Sequence, residues 1–348
     1  MNQQLTAISP PPTIMKSNFI PLVVAFLLLF TGACSNDIEL NAPEKEIAIV
    51  YGLLSPQDEV HYVRIERAFL EENTSALELA QRPDQLYFDN LVVELTRMGD
   101  GEIFQLQEVD GTVDGIIREE GIFSSSPNIL YRIADSQINL QQGEIYVLSI
   151  RQAGSEETLA SASTAIVGTV RLNRPIPGNN KLPLRIEEDE SFTLLWAADE
   201  TARFFDVKMT IHLEEQQANN IANRRTLTWT IARNITAMDG PNRISFEGVE
   251  FYRFLANTLA EEAVRSRRVR AIDIRIDVGG EELFNYINVG QANTGITSSQ
   301  VIPTYTNIEN GLGIFSSRNQ FLEEGFSIDG ITREGLKNSE LTRGLNFE

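Results

Sequence analysis

FDVKMTIHL, residues 205–213, alternates apolar and polar side chains without interruption. A period of two places every second side chain on the same face of a β-strand, so that one face is buried and the other meets water. TLTWTI at 226–231 and VRAIDIRIDV at 269–278 repeat this pattern. The three stretches therefore predict β-strands in the second half of the chain. Their inward residues include Phe205, Val207, Met209, Leu227, Ile231, Ile272 and Ile274.

The remainder of the second half adds a further strand and a helix. SFTLLW at 191–196 alternates in the same way. Between 249 and 263 the apolar residues recur at helical spacing instead, which predicts one amphipathic helix, the longest of the folded part. We therefore predict a C-terminal β-sandwich at 185–315 that packs against this helix and buries Trp196 and Trp229.

The first half of the chain contains about seven short segments with strand patterns and turn signals between them. This spacing is typical of all-β sandwiches. It predicts an N-terminal β-sandwich at 45–170, and RPIPGNN at 174–180 marks the boundary between two domains. Residues 316–348 are predicted to form a C-terminal tail, because chain ends fray. The strands are expected at 46–54, 61–69, 91–97, 103–109, 129–133, 144–151 and within 156–167. The predicted fold is mainly β, with two immunoglobulin- or fibronectin-like sandwich domains.

The segment MKSNFIPLVVAFLLLFTGAC, residues 15–34, predicts export and anchorage. A lysine precedes an apolar run at 19–30, which as a helix rising about 1.5 Å per residue is too short for a hydrocarbon core of roughly 30 Å. This pattern indicates a secretory signal peptide, here 1–33. The closing TGAC resembles the lipobox of bacterial lipoproteins, although Thr31 replaces the usual Leu. Cys34 would then be lipidated; an ordinary signal peptide with a chance cysteine is the alternative.

The mature chain is strongly acidic. Without residues 1–33 it carries 28 basic and 49 acidic side chains, a net charge of −21. This balance argues against nucleic-acid binding and disfavours anionic lipid surfaces. Residues 34–44 are polar and predict a tether. SNDIE at 35–39 resembles the signal that directs Bacteroidota lipoproteins to the outer face of the outer membrane, and a merely solvated tether is the alternative.

Patterns for catalysis and metal binding are weak. A hydrolytic triad needs a histidine beside a nucleophile. His61, on an apolar strand face, is expected in the core, and His212, on a polar face, in water. Paired carboxylates are interpreted as solvated loops, with acid–base pairs or calcium sites as alternatives. DGTVDG at 110–115 has some features of a calcium loop but lacks EF-hand spacing. We predict no catalytic residue, no metal site and no cofactor.

One aromatic pair is a candidate for partner binding. Tyr87 and Phe88 lie in the long polar connection at 71–89. An exposed pair there would suit contact with a protein or stacking on a glycan. Packing back onto the sandwich is an equally compatible interpretation. Elsewhere, GLG at 311–313 is predicted to permit a tight turn that lets Ile308 and Phe315 pack inward.

Several stretches together carry a resemblance to a known family. They are Cys34, IAIVYGLLS at 47–55, GEIYVLSI at 143–150, SASTAI at 161–166 and, most specifically, TNIENGLGIF at 306–315. In these the chain resembles outer-membrane lipoproteins of Bacteroidota that carry a domain of unknown function. The resemblance covers most of the mature chain. It implies sandwich-like domains on a lipid anchor and a neighbouring barrel such as a TonB-dependent receptor, and it implies no catalytic residues.

Two function classes remain open from the sequence. The first is a non-catalytic lipoprotein of the outer-membrane surface, a binding or assembly partner of an outer-membrane β-barrel in uptake or secretion. The second is an extracellular hydrolase that acts on glycans with carboxylates alone. An enzyme of that kind should bring two carboxylates together in a cleft, about 5–10 Å apart. A binding module should instead present a flat or aromatic-lined patch.

Overall fold

A computed structural model of the chain describes residues 47–68, 80–217, 221–259, 264–292 and 304–348. The predicted signal peptide 1–33, the lipidation site Cys34 and the tether 34–44 lie outside the described residues. So do parts of the predicted connection at 71–89 and of the predicted helix at 249–263. Among the residues that are described, no helix is long and apolar enough to cross a membrane.

Alternating stretches of the first half form strands close to the predicted positions, and the mainly β class is confirmed. Two one-turn helices, α1 (Pro83–Leu86) and α2 (Asp135–Ile138), interrupt them. The strands are β1 (Ile47–Leu54), β2 (Val60–Ala68), β3 (Leu91–Arg97), β4 (Ile103–Gln105), β5 (Gln107–Asp110), β6 (Ile129–Ala134), β7 (Ile145–Gln152) and β8 (Thr158–Ala165).

The second half contains longer strands and three further helices. The strands are β9 (Val170–Arg174), β10 (Ser191–Ala198), β11 (Phe204–Gln217), β12 (Ala222–Thr236), β13 (Asn242–Glu247), β14 (Val264–Gly279) and β15 (Gly311–Phe326). The helices are α3 (Gly248–Thr258), α4 (Glu281–Ala292) and α5 (Gly330–Asn338). The helix predicted at 249–263 is therefore α3, and it ends at Thr258. The prediction that it would be the longest is wrong, because α4 has 12 residues and α3 has 11.

In the described part of the chain, three sheets enclose two hydrophobic cores. The largest has the strand order β12-β11-β14-β15-β1-β2-β6-β5, and the others are β4-β3-β7-β8 and β13-β10-β9. The first core fills the space between the β1-β2-β6 end and the four-stranded sheet, with Val50, Leu95 and Leu148 among its residues. The second core joins β11 and β14 to the three-stranded sheet, α3 and α5. Both are sandwiches, because apolar faces of two layers are buried against each other.

β15 differs from the prediction most, because it belongs to both halves. Its residues from Gly311 to Ser317 pair in parallel with β1, and those from Arg318 to Phe326 pair antiparallel with β14. The predicted domains at 45–170 and 185–315 therefore share one continuous sheet. In place of the predicted tail at 316–348, the chain forms the rest of β15 and α5. Four apolar residues beyond β15 are buried in the second core: Ile328, Leu336, Leu345 and Phe347.

The two Trp residues differ in burial. Trp196 is fully buried, as predicted, and its ring lies edge-to-face against that of Phe205, with centroids 5.3 Å apart. Trp229 is only half-buried, so the prediction that it lies within the core is wrong. It lies on β12 at the edge of the sheet, where one side of the strand has no neighbour to cover it. Its ring stacks on that of Phe254 of α3.

The glycines at 311 and 313 lie in strand β15 and do not form the predicted turn. Gly313 has a φ of +108°, and a Cβ there would lie 2.0 Å from the carbonyl oxygen of Val50. Only glycine permits this close approach of β15 to β1. Ile308 and Phe315 on either side are buried, as predicted.

Buried polar side chains fix the point where β15 passes from one core to the other. Ser317 Oγ accepts a hydrogen bond from the Val167 amide (3.0 Å) and donates one to the Ala165 carbonyl (2.5 Å). Asn319 Nδ2 donates to the carbonyls of Val167 and Gly168. These bonds satisfy the backbone between β8 and β9, which is buried and has no ladder partner of its own there.

Ser317→Ala should lower the free energy of unfolding by about 1–3 kcal/mol, because it leaves the buried Val167 amide without its acceptor. Denaturant unfolding of the purified protein measures the change. Ser245→Ala is the matched control: its hydroxyl bonds Thr193 on an exposed surface, so the change should stay within about 0.5 kcal/mol. Equal effects of the two substitutions would contradict the assigned role of Ser317.

Candidate functional site

Tyr87 and Phe88 are not an exposed pair. Phe88 is only 8% exposed and belongs to the first core. Tyr87 is half-buried, and its hydroxyl donates a hydrogen bond to the Pro127 carbonyl (3.0 Å). The structure thus favours the interpretation in which the pair packs back onto the sandwich. The exposure on which the predicted partner contact depended is absent at Phe88.

The two histidines lie in different environments and do not meet. His61 is buried in the first half, and its Nε2 is 3.0 Å from Asp135 Oδ1. His212 lies on the outer face of β11, with Nε2 2.6 Å from Asp273 Oδ2 and Nδ1 3.5 Å from the Thr226 hydroxyl. His61 is therefore a core histidine. His212 forms part of an exposed polar row across neighbouring strands.

In the segment 110–115, which has some features of a calcium loop, both aspartate carboxylates bind groups of the protein itself. Asp110 caps the short helix that follows by accepting from the Thr112 amide. Asp114 binds Arg132 and accepts from the Tyr62 hydroxyl, and these contacts lower the pKa of its carboxyl group. Within the described part of the chain, no three metal-ligating side chains lie together.

Three carboxylate side chains line a cleft of about 420 Å³ where α4 begins. Glu200, Glu281 and Glu282 line it, together with Arg203. Glu281 pairs with Arg203 at 3.3 Å. Glu282 accepts hydrogen bonds from the hydroxyls of Thr164 (2.9 Å) and Ser316 (3.0 Å). Two of the three carboxylates therefore bind protein groups, and Glu282 attaches α4 to both β8 and β15.

Exposed apolar side chains lie on the outer face of the sheet beside this attachment. We call them the central patch, which we define as Tyr51 and Leu53 of β1, Leu312 of β15 and Tyr286 of α4. Their exposed fractions are 43%, 39%, 44% and 39%. These values are high for large side chains that lie so close together, so the central patch is the candidate binding surface.

Strand register explains how the central patch forms. Ile49 of β1 lies opposite Leu312 of β15, and Tyr51 lies opposite Ile314. Tyr51 and Leu53 therefore point to the same face as Leu312, because side chains alternate along each strand. The contact of Glu282 with Ser316 places α4 on this face. Burial, followed by the nearby charges of Tyr286 and Glu66, raises the pKa of the Tyr51 hydroxyl.

Charged side chains border the central patch. Arg64 of β2 lies opposite Tyr51, and Glu66 lies opposite Ile49. The two side chains form an ion pair, with Arg64 Nη1 3.3 Å from Glu66 Oε1. Glu66 is only 5% exposed, so the charge presented at this edge of the central patch is that of the partly buried Arg64. The sequence prediction missed this surface because 46–54 was predicted only as a strand, and the exposure of one of its faces was not considered. The signal was available in the alternation of Tyr51 and Leu53 with Val50, Gly52 and Leu54.

Comparison with known proteins gives one informative match. A family model described as "Domain of unknown function (DUF4249)" matches residues 35–322. No curated protein matches the chain.

Solved structures resemble the chain only distantly. The C-terminal globular domain of an oligosaccharyltransferase from Pyrococcus abyssi is 15% identical, with a TM-score of 0.24. That alignment covers 68% of this chain and 46% of the other, so this chain spans less than half of that structure. A cytokine receptor complex is 11% identical, with a TM-score of 0.19 and coverages of 81% and 99%. Scores this low do not bear on fold or function.

Proposed function

We propose, on the premise that the chain belongs to the family described as Domain of unknown function (DUF4249), that it is a non-catalytic, lipid-anchored lipoprotein of the outer membrane. In this proposal it stands on the cell surface and binds a β-barrel protein of the same membrane, such as a TonB-dependent receptor, in uptake or secretion. The central patch is the observation that carries the binding role.

The sequence around Cys34 supports the anchor. The predicted signal peptide 1–33 ends directly before Cys34, the single cysteine of the chain, at the expected processing point. Two or more acyl chains hold a protein stably in a membrane, since each buried CH₂ contributes about 0.8 kcal/mol. An anchored domain meets membrane partners at a high effective concentration, so a modest patch suffices for binding.

The composition of the central patch supports a protein partner. Tyrosine is enriched among the residues that dominate binding energies, and here Tyr51 and Tyr286 lie together with Leu53 and Leu312. Full burial of one such apolar side chain contributes roughly 1.5–3 kcal/mol. Arg64 at the edge of the central patch would fix orientation more than affinity.

The test is cross-linking in intact cells. A photo-reactive residue at Leu53 should capture a β-barrel protein, whereas one at Met238, which is also exposed but lies outside the central patch, should not. Tyr51→Ala combined with Leu312→Ala should weaken the capture. A loss of about 2 kcal/mol corresponds to roughly 30-fold in affinity.

Two controls accompany this experiment. Met238→Ala should leave capture unchanged, and mass spectrometry of the mature protein should find a lipid on Cys34. Capture that is equally strong in the Tyr51→Ala, Leu312→Ala variant would show that the partner binds elsewhere. An unmodified Cys34, or a location in the periplasm, would contradict the anchor and surface placement.

A glycan hydrolase is the second candidate function, and the cleft at Glu200, Glu281 and Glu282 is the observation behind it. Its carboxylates are the groups that such an enzyme would use. If the protein released sugar from a polysaccharide and Glu281→Gln abolished this release, the result would support this alternative. It would also contradict the non-catalytic role.

A further inference from the structure

The connection between β5 and β6, residues 111–128, exposes four large apolar side chains within eleven residues. We call it the apolar loop. Val113 is 83% exposed, Ile117 78%, Ile122 59% and Phe123 42%. Single exposed apolar residues are ordinary on protein surfaces, but four within one short loop indicate a candidate contact site.

The backbone of the apolar loop is held in place, so these side chains are presented outward by a fixed structure. Asn128 Nδ2 donates to the Ile116 carbonyl (2.8 Å), and the Ile116 amide donates to the Gly111 carbonyl (2.9 Å). The Ser124 amide donates to the Ala80 carbonyl (2.8 Å).

Arg118 holds the middle of the apolar loop against the sheet. Its Nη1 lies 2.7 Å from Glu66 Oε1, and its guanidinium covers the ring of Phe123 at 4.9 Å. The contact with Glu66 also places the loop on β2, close to the beginning of β1.

Strand register puts the apolar loop at the end of the sheet where the described chain begins. Ile47, the first residue of β1, lies opposite Ala68, the last of β2. β6 is antiparallel to β2, with Ala134 opposite Val60, so Ile129 at its start points toward the Ala68 end. The apolar loop leads directly into Ile129, so its part with Ile117, Ile122 and Phe123 lies toward that same end. Val113 lies farther along the sheet, because its neighbour Asp114 contacts Arg132 and Tyr62.

The predicted anchor is close in sequence to this end. Thirteen peptide units separate Cys34 from Ile47, which allows a reach of at most about 45 Å. Whatever surface holds the lipid on Cys34 is therefore within reach of the end of the sheet that carries the apolar loop.

Charge indicates what kind of surface the apolar loop can meet. The mature chain has a net charge of −21, and Glu119 and Glu120 are exposed in the loop itself. The loop's arginine, Arg118, is already paired with Glu66. Electrostatic attraction of the loop to an anionic surface is thus disfavoured. The mode of membrane contact that this composition still allows is insertion of apolar side chains into the interface of a zwitterionic membrane.

We propose that the apolar loop rests on the membrane that holds the lipid anchor, with Ile117, Ile122 and Phe123 inserted at the level of the lipid headgroups. This inference rests on the lipid anchor of the proposed function. It adds an orientation: the end of the sheet with Ile47 faces the lipid, and the central patch faces sideways, toward a neighbour embedded in the same membrane.

The experiment uses the full lipidated protein in nanodiscs of phosphatidylcholine. Cys34 is the only cysteine, and its sulfur is blocked when lipidated, so a cysteine introduced elsewhere takes up a thiol-reactive, environment-sensitive fluorophore alone. Ile117→Cys and Ile122→Cys report on the apolar loop. Glu59→Cys, an exposed position at the opposite end of β2, is the matched control.

Labels at 117 and 122 should emit at shorter wavelength in nanodiscs and lose most of their fluorescence when the lipids carry nitroxide quenchers. The label at 59 should show neither change. Water-like emission at 117 and 122 on a lipidated protein would overturn the membrane contact and leave the anchor intact. Wild-type protein that takes up the label would show a free Cys34 and overturn both.

A third possible outcome of these experiments is that the apolar loop binds a protein and not the membrane. A photo-reactive residue at Ile117 that captures a protein in intact cells, together with water-like emission in nanodiscs, would assign the loop to that protein and refute the membrane contact. Circular dichroism of each variant should match that of the wild type, so that altered emission is not attributed to unfolding.

Discussion

Trp196→Ala should lower the free energy of unfolding by about 3–5 kcal/mol, the range for removal of a large aromatic side chain from a core. Trp196 is fully buried between β9 and β13, and its ring packs edge-to-face on Phe205 of the opposing sheet. Truncation therefore removes contacts from both layers of the second sandwich and leaves a cavity that the surrounding strands fill only in part. Urea unfolding followed by circular dichroism measures the change.

Trp229 supplies the matched control for this prediction. It is half-buried on the edge strand β12, where solvent already covers part of the ring. Trp229→Ala should therefore cost clearly less than Trp196→Ala, although it removes the stacking on Phe254. Equal losses at the two positions would contradict the burial that the structure assigns to them.

The second large effect is expected at Arg267. Its side chain is fully buried on β14, with Nε 2.9 Å from Glu215 Oε1 and Nη1 donating to the Leu345 carbonyl at 2.9 Å. Arg267→Met should cost about 3–5 kcal/mol, because it leaves the Glu215 carboxylate buried without its nearest cation. Arg225 is 3.9 Å from that carboxylate and replaces the lost contact only in part.

A double variant distinguishes charge from packing at this site. Arg267→Met with Glu215→Met removes both charges and should recover part of the stability lost in the single variant. Some loss should remain, because the Leu345 carbonyl still lacks a donor. Arg268→Met, at an exposed position whose ion pair with Glu348 spans 3.7 Å, should change stability by less than about 1 kcal/mol. If the double variant were no more stable than Arg267→Met, the buried charge would not be the cause.

Local patterns predicted the strands well, because period-two alternation records which side chains meet a core. The stretch 205–213 became the centre of β11, and its five apolar residues are all buried. The same reasoning placed Trp196 correctly and Trp229 wrongly. Alternation distinguishes the two faces of a strand but does not reveal that β12 lies at an edge, where the inward face is only partly covered.

Candidate sites were harder to predict than strands. Tyr87 and Phe88 stood out as aromatic residues in a polar segment, yet the connection packs onto the first core and buries Phe88. The central patch combines residues of β1 with residues of α4 and β15 that follow more than 200 positions later in the chain. No local signal joins Tyr51 to Leu312 or Tyr286. The apolar loop drew attention only for its acidic DGTVDG start.

The sequence alone determined the mainly β class, the positions of most strands, the acidic surface and the short apolar segment before Cys34. The first, second and fourth follow from the order of neighbouring side chains, and the acidic surface follows from the sum of the charges over the chain. Only the tertiary structure decided that β15 pairs with β1 and then with β14, and so joins both cores in one sheet. That choice depends on backbone hydrogen bonds between residues such as Ala48 and Gly311, on the absence of a Cβ at Gly313, and on Ser317 and Asn319 satisfying buried backbone groups. Pairing across such separations is selected by the packing of the whole chain, and strand propensity carries no information about the partner.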